Sequence, residues 1–289
     1  MKPLAKNIFL PIVRNALKED LPNGDITTNS FIPYNVHIRS IIVIEDAGVV
    51  CGIDIARCVF QTLNSQIKFK KLKRDGEKVE KHTKVAQVEG KASSILKGER
   101  TALNFLGYLS GIATTAWEWT QILPHIQILD TRKTRPTLRV LEKYAARTGG
   151  IKNHRMNLSS GILIKENHHF IIKNTYRHSH LFKEKLYKVK KKYKKEIIIE
   201  AHTVEDFINF IHLPVDIIML DNMSLKEIKK CLQLRKKYNP FVKIEISGGI
   251  KKYNAHLFKD LKIDRISIGS IIHSAPFLNV SLEIEKVLT

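Results

Sequence analysis

Residues 197–250 read IIIEAHTVEDFINFIHLPVDIIMLDNMSLKEIKKCLQLRKKYNPFVKIEISGGI and have the pattern most informative about the fold. Three short apolar runs with the β-branched residues typical of buried strands lie in it, at 197–200, 217–221 and 242–246. Two segments between them, 204–211 and 225–238, have apolar residues at helical spacing. Alternating strands and helices predict parallel strands joined by right-handed crossovers.

The same alternation continues on both sides of this stretch. Further strand-like runs lie at 126–130, 162–165 and 265–268, and further helical segments lie at 99–119, 137–148, 181–195 and 253–261. Six strand-like runs separated by helices predict an α/β fold with six parallel strands, either a barrel or an open doubly wound sheet.

The first hundred residues have a different pattern. Strand-like runs occupy 38–45, 67–72, 85–88 and 92–96. A helix is predicted between the first two runs, because Ile55, Val59 and Leu63 are at helical spacing, with Asp54 as its N-cap. This part of the chain therefore predicts an α+β domain.

The composition narrows the classes of function. The chain has 289 residues, with 43% hydrophobic and 27% charged residues, which is typical of a soluble globular protein. It has 49 Lys and Arg against 28 Asp and Glu, and this net charge of +21 predicts anionic partners. The lysine-rich segment 183–195 is interpreted as a solvated helix face and not as a nucleic-acid surface.

The cysteines and the apolar runs indicate the compartment. Cys51, Cys58 and Cys231 form no closely spaced pair, which argues against a disulfide framework and against a thiolate zinc site. No apolar run reaches the roughly 18 residues of a membrane span. We therefore expect reduced cysteines, a cytoplasmic location and no membrane partner.

Charged, amide or glycine residues close each of the six strand-like runs. In chain order they are Asp130 with Thr131, Arg132 and Lys133; Lys165 with Glu166, Asn167 and His168; Glu200; Asp221 with Asn222; Ser247 with Gly248 and Gly249; and Gly269 with Ser270. The carboxyl ends of parallel strands meet at one edge, where the sites of α/β proteins lie. The pattern predicts a functional site at this edge.

The residue types of this predicted site suggest its ligands. Its cations, together with His154 and Arg155, suit carboxylates or phosphates, although in a basic chain they could also be solvated charges. Glu200 and Asp221 could hold Mg²⁺ or could pair with nearby Lys or Arg, and spacing alone leaves both readings open. Glycines after the last two strands favour a phosphate site. The Walker A and Rossmann glycine patterns are absent.

Eight stretches, in the same order over nearly the whole chain, resemble the quinolinate phosphoribosyltransferase family, also called carboxylating nicotinate-nucleotide pyrophosphorylases. They are ALKEDLPNGDIT (16–27), GERTALNFLGYLSGIAT (98–114), DTRKTRPTLRVLEKYA (130–145), GGIKNHRMNL (149–158), LIKENH (163–168), IIMLDN (217–222), EISGGI (245–250) and SIGSIIHSAP (267–276). The DTRKT and NHRM blocks together are specific to this family.

This resemblance implies an N-terminal α/β sandwich domain over residues 1–111, joined by the tail 276–289, and an open six-stranded parallel α/β barrel over 112–275. It implies a reaction that joins quinolinate to phosphoribosyl pyrophosphate and yields nicotinate mononucleotide, pyrophosphate and CO₂, with Mg²⁺ and no organic cofactor. It also implies a homodimer whose two active sites share residues, leaves assembly beyond the dimer open, and gives no role to nucleic acid.

The resemblance also assigns roles to individual residues. Arg132, His154, Arg155 and Lys165, with Thr131 beside them, would bind the quinolinate carboxylates, helped by Arg100 of the other subunit. The residues given catalytic roles are Lys133 at the leaving oxygen, and Glu200 and Asp221 at the ribose hydroxyls and the metal-bound diphosphate. The 5-phosphate would lie against the backbone of Ser247, Gly248, Gly249, Ile268, Gly269 and Ser270.

Some residues depart from the usual family pattern, and other functions compete with the implied one. The departures are Arg135, Thr137, Ile151, Asn157 and Gly249. The alternative enzymes are a phosphoribosyltransferase that accepts nicotinate without decarboxylation and a barrel aldolase that uses Lys165 as a Schiff-base amine. The non-enzyme alternative is a basic nucleic-acid-binding protein, which the charge excess alone suggests.

Overall fold

The structure is a computed structural model that describes residues 3–175 and 179–288. The chain divides into two compact units. The first unit comprises Met1–Glu118, Lys133–Ile151 and Ser270–Thr289, and the second comprises Trp119–Arg132 and Lys152–Gly269. The expected division after residue 111 falls inside one long helix, Ala92–Ile122, and the expected domain limits stay a prediction.

The elements follow in chain order. The N-terminal elements are α1 (Lys6–Asp20), α2 (Ile26–Phe31), β1 (His37–Ile44), β2 (Gly48–Val49), α3 (Ile53–Leu63), β3 (Lys68–Lys71), β4 (Lys78–Val79), β5 (Thr83–Lys91) and α4 (Ala92–Ile122). The remaining elements are β6 (Gln127–Leu129), α5 (Arg139–Thr148), β7 (Ile162–Ile164), α6 (Glu166–Thr175), α7 (Ser179–Tyr193), β8 (Ile197–Ala201), α8 (Val204–Phe210), β9 (Ile217–Asp221), α9 (Leu225–Tyr238), β10 (Lys243–Ser247), a 3₁₀ helix (Lys252–Phe258), β11 (Arg265–Ser267), α10 (Ser270–His273) and β12 (Val280–Leu288).

The first unit is built on a four-stranded antiparallel sheet with the order β12-β1-β5-β3. The central strand β1 pairs with β5 on one side and with the C-terminal strand β12 on the other, so that His37 lies opposite both Lys91 and Leu288. Five of its apolar residues are buried, which explains its central place: Ile38, Ile41, Ile42, Val43 and Ile44. This separate antiparallel sheet confirms the expected N-terminal α/β domain.

Two local predictions in this unit are wrong. The N-cap of helix α3 is Gly52, with φ +106°, and not Asp54. The Asp75 side chain accepts hydrogen bonds from the N–H groups of Gly52 and Ile53, both at 3.0 Å. Asp54 instead forms ion pairs with Arg57 at 2.8 Å and Lys71 at 2.6 Å. The run 92–96 begins helix α4, since its buried positions continue at helical spacing through residue 109.

The second unit contains a six-stranded parallel sheet with the order β6-β11-β10-β9-β8-β7. The first and last strands, β6 and β11, are paired, whereas β6 and β7 are joined only by the isolated bridge between Leu129 and Lys152. A sheet paired in this way is a barrel that is open between its first two strands. The predicted open six-stranded barrel is confirmed, and each of the six predicted strands is present.

The register of this sheet aligns polar side chains on one face. Glu200 lies opposite Met219, Met219 opposite Glu245, and Glu245 opposite Arg265. Directly paired residues point to the same face of a sheet, so these four share a layer. A buried apolar cluster joins Met219 of this layer to Leu163, Ile198 and Ile217, which lie one layer nearer the amino-terminal ends of the strands.

None of the helices within the described ranges combines the length and the apolar character that crossing a bilayer requires.

We expect Asp75→Ala to lower the free energy of unfolding by about 2 kcal/mol, because two backbone N–H groups lose their acceptor. The hydroxyl of Tyr144, which donates to Asp75 at 2.7 Å, loses its acceptor as well. Asp75→Asn keeps an acceptor oxygen, and burial already raises the pKa of Asp75, so this control should cost clearly less. Urea denaturation measures both variants, and equal losses would contradict the capping role.

Candidate active site

Lys165 and Glu200 form an ion pair at the carboxyl edge of the barrel. Lys165 directly follows β7, and the register Ile164 to Ile199 brings it next to Glu200 on β8. The Lys165 Nζ donates to Oε1 of Glu200 at 2.6 Å. The Glu200 side chain is 7% exposed and that of Lys165 is 49% exposed. A buried carboxylate therefore holds a cation that solvent and ligands can reach.

Asp130 orders the segment that carries His154 and Arg155. It follows β6 and is fully buried. Its Oδ1 accepts from the backbone N–H of His154 at 2.8 Å, and its Oδ2 accepts from the Asn153 side chain at 2.7 Å. Charge-assisted bonds of this kind are among the stronger ones in proteins. Asp130 is thus a structural member of the strand-end pattern and not a ligand group.

Arg155 lies in a crowded electrostatic environment. Its guanidinium donates to the carbonyl of Gly161 at 3.0 Å. Burial and the nearby Arg132 guanidinium lower the pKa of Arg155, whereas the Glu200 carboxylate opposes this shift. The charged form of Arg155 therefore carries an electrostatic cost, which an anion bound between the two guanidinium groups would reduce.

Asn222 connects the carboxyl ends of β9 and β10 through hydrogen bonds. Its backbone N–H donates to the carbonyl of Ser247 at 2.9 Å, and its side-chain amide donates to Oδ2 of Asp221 at 2.9 Å. Asp221 lies opposite Ser247 and on the same face as Met219, which pairs with Glu200. Both candidate acids consequently project from one face of adjacent strands.

The two glycines after β10 have different surroundings. Gly248 has φ +82°, and a Cβ placed there would lie 2.2 Å from Oδ1 of Asn222. Gly249 has φ +64°, and a Cβ there would meet no atom within 4 Å. On the next strand, the buried Ile268 donates its backbone N–H to Leu129 at 2.9 Å, and Gly269 follows it. The edge beside Gly249 is open.

The structure brings most of the predicted residues to this edge of the second unit, and three belong to the first unit. The second-unit residues are Thr131, Arg132, His154, Arg155, Lys165, Glu200, Asp221, Ser247, Gly248, Gly249, Ile268 and Gly269; those of the first unit are Arg100, Lys133 and Ser270. Arg100 is exposed on α4 and lines a cavity of about 350 Å³ within the first unit, together with Tyr108, Arg135 and Phe277.

Sequence reasoning missed two residues of the site. His202 follows β8, and its Nδ1 lies 3.9 Å from Oδ2 of Asp221. Glu245 lies inside β10, fully buried, with His154 Nε2 at 3.6 Å. Glu245 lies between Ile244 and Ile246 in the predicted strand 242–246, and an acid between two apolar strand residues was a usable signal, because a buried carboxylate needs a partner.

Several of the residues that depart from the family pattern have a visible structural role. The backbone N–H of Arg135 donates to both carboxylate oxygens of the buried Glu142 at 3.1 Å, and its guanidinium lies 4.6 Å from the centre of the Tyr108 ring. Asn157 closes its own loop by accepting from the N–H of Ser159 at 3.1 Å. Thr137 adopts the left-handed φ of +67°, and Ile151 is buried.

Comparison with known proteins identifies the family. The quinolinate phosphoribosyl transferase N-terminal domain matches residues 25–110, and the C-terminal domain of the same family matches residues 112–283. The chain belongs to the quinolinate phosphoribosyltransferase family. The predicted resemblance is therefore confirmed.

Individual relatives are similar over nearly their full length. A probable nicotinate-nucleotide pyrophosphorylase (carboxylating) of Methanocaldococcus jannaschii is 36% identical over 98% of this chain and 99% of its own. The solved nicotinate-nucleotide pyrophosphorylase of Ehrlichia chaffeensis has a TM-score of 0.86 at 34% identity, covering 99% of this chain and 100% of its own. NadC from Streptococcus pyogenes has a TM-score of 0.88 at 31% identity, covering 100% and 99%.

One alternative in the sequence analysis was a phosphoribosyltransferase that accepts nicotinate without decarboxylation, and the solved structure of such a protein is more distantly similar. Human nicotinic acid phosphoribosyltransferase has a TM-score of 0.63 at 12% identity, covering 98% of this chain and 75% of its own. That likeness concerns the fold alone. Family membership favours the decarboxylating enzyme over this alternative, over the aldolase and over the nucleic-acid-binding protein.

We expect Gly248→Ala to destabilise the second unit by about 2 kcal/mol or more, because the new Cβ collides with Asn222 at a positive φ. The matched control is Gly249→Asn, since asparagine tolerates the left-handed region and the space is open. It should stay within about 0.5 kcal/mol of the parent chain. Denaturant unfolding of both variants measures this contrast, and similar losses at the two positions would contradict it.

Proposed function

We propose that this chain transfers the phosphoribosyl group of phosphoribosyl pyrophosphate to quinolinate, with decarboxylation, as a step of NAD biosynthesis. The products are nicotinate mononucleotide, pyrophosphate and CO₂. The observation that carries this proposal is the Lys165–Glu200 pair beside Arg132 and Arg155 at the barrel edge, in a chain of this family. The substrates are small anionic molecules, as the charge of the chain predicts.

The cations would bind the two carboxylates of quinolinate. Arginine forms two parallel hydrogen bonds to a carboxylate, and lysine adds a compact charge. The lowered pKa of Arg155 supports this role, because a dianion placed between Arg132 and Arg155 would offset their repulsion. His154, with Thr131 nearby, would complete this end of the site.

The two acids would bind the phosphoribosyl pyrophosphate molecule. Glu200 and Asp221 would accept hydrogen bonds from the ribose hydroxyls, and Lys133 would neutralise charge on the leaving oxygen. The backbone of Ser247, Gly248, Gly249, Ile268, Gly269 and Ser270 would bind the 5-phosphate, and the open space beside Gly249 supports this assignment.

The donor set fits a magnesium ion that arrives with the substrate. Two carboxylates share one face of adjacent strands, and the described residues include no group of three or more metal-ligating side chains. Mg²⁺ is commonly held by one or two carboxylates, water and substrate phosphates. Glu200 and Asp221 would hold it directly or through water, and it would offset the charge of the departing pyrophosphate.

The chemistry needs no further group from the protein. As the bond from the anomeric carbon to pyrophosphate breaks, the pyridine nitrogen forms the new bond to that carbon. When the adjacent carbon–carboxylate bond then breaks, CO₂ leaves and the electron pair stays on the ring carbon, where the positive charge of the quaternised nitrogen stabilises it until that carbon takes up a proton from solvent. Fixed cations that bind the leaving group more strongly in the transition state than in the substrate lower the barrier.

Incubation with quinolinate, phosphoribosyl pyrophosphate and Mg²⁺ should produce nicotinate mononucleotide and one CO₂ per turnover, whereas nicotinate should not replace quinolinate. The double variant Glu200→Gln, Asp221→Asn should fold normally by circular dichroism and lose turnover by at least about 100-fold. Product formed from nicotinate, or near-normal turnover of the variant, would argue against this function.

The proposal includes a homodimer in the cytoplasm. Arg100 would reach the active site of the partner subunit, and its exposed position on α4 supports this. The three cysteines are buried and free, which supports a reducing compartment.

Arg100→Ala and Lys165→Ala should each be inactive with quinolinate, and mixing them should restore about a quarter of wild-type activity, because each hybrid dimer contains one intact site. Activity assays after subunit exchange, verified by mass spectrometry, measure the recovery. If Arg100 serves its own subunit, the mixture stays inactive, and the shared site is excluded.

A further inference from the structure

The barrel interior contains a charged pair that the proposed reaction does not use. Glu245 on β10 lies opposite Arg265 on β11, and the Arg265 Nε donates to Oε2 of Glu245 at 2.5 Å. Glu245 is fully buried, and Arg265 is 8% exposed. Burying such a pair costs desolvation free energy that its attraction often only balances, so stability alone does not explain the pair.

The second oxygen of Glu245 faces His154. Oε1 lies 3.6 Å from Nε2 of His154, and both side chains are buried. The other ring nitrogen, Nδ1, accepts the backbone N–H of Arg155 at 2.8 Å. Since Nδ1 acts as the acceptor, the neutral ring carries its proton on Nε2, the nitrogen that lies 3.6 Å from the carboxylate, a separation longer than a hydrogen bond.

His154 thereby connects the buried acid to Arg155. Asp130 accepts the backbone N–H of His154 at 2.8 Å, and the His154 ring accepts that of Arg155. Rotation of the ring, or transfer of its proton to Nδ1, would remove the acceptor of the Arg155 N–H and release the start of the loop that carries its guanidinium.

We propose that Glu245 is a positioning residue for quinolinate binding: its buried negative charge, 3.6 Å from Nε2, favours the His154 tautomer and orientation that fix Arg155. This inference rests on the proposed function. The competing account is that Glu245 only neutralises Arg265, and Arg265→Gln breaks the same ion pair while keeping the Glu245 side chain that faces His154. This variant is the matched control.

Long-range ¹H–¹⁵N NMR spectra of protein labelled with ¹⁵N-histidine report the His154 tautomer, with His154→Asn to assign the signals. The full-length wild type should have Nδ1 unprotonated and Nε2 protonated. Glu245→Gln should shift both nitrogens and raise the KM for quinolinate by about tenfold or more, with the KM for phosphoribosyl pyrophosphate changed less than about twofold. Glu245→Asp, which keeps the charge, should recover part of the loss. Arg265→Gln should leave the His154 signals in place.

Unchanged His154 signals in a folded Glu245→Gln variant would overturn the positioning role. Equal increases in both KM values in Glu245→Gln and Arg265→Gln would also overturn it, since that is the result of a purely structural role. If Glu245→Gln does not fold, the double variant Glu245→Gln, Arg265→Gln removes both charges and is judged by the same criteria. Failure of the wild type to form nicotinate mononucleotide would overturn the proposed function, whereas the His154 signals test the positioning independently.

Discussion

Pairing between β6 and β11 is the constraint on which the second unit depends. In chain order these are the first and last of the six parallel strands, and three residue pairs join them. The backbone bond from Ile268 to Leu129 extends the pairing past the strand ends. Because this pairing places Asp130 and Arg132 at the same edge as Gly269, residues from the start and from the end of the barrel meet at one edge.

The side chains inside the barrel form an apolar layer and, next to it, a charged layer. Leu163, Ile198 and Ile217 form a buried apolar layer below the site. Glu200, Glu245 and Arg265 form the next layer in register, each with a charged partner. Charges interact more strongly in such a partly desolvated layer than in water, so the acids can orient cations and backbone groups above them.

One departure from the family pattern has a measurable structural consequence. Thr137 has φ +67°, a conformation that costs a β-branched residue about 1–3 kcal/mol. Two residues earlier, Arg135 is held by Glu142 through its backbone and by Tyr108 through its guanidinium. These contacts, all within the first unit, hold the turn that carries the strained residue.

The sequence alone determined the six parallel strands, the alternation of helices between them and the identity of most residues at the barrel edge, because strand periodicity and strand-end polarity are local properties. It did not predict that Gly52 would be the N-cap of α3 with Asp75 as the hydrogen-bond acceptor, or that residues 92–96 would be helical, since distant partners and continued burial override local propensity there. The tertiary structure alone established three features: the facing of Glu245 and His154, the hydrogen bond from Asn222 to Ser247, and the lowered pKa of Arg155. Each of these depends on register and distance between strands far apart in the chain, which no local pattern of residues encodes.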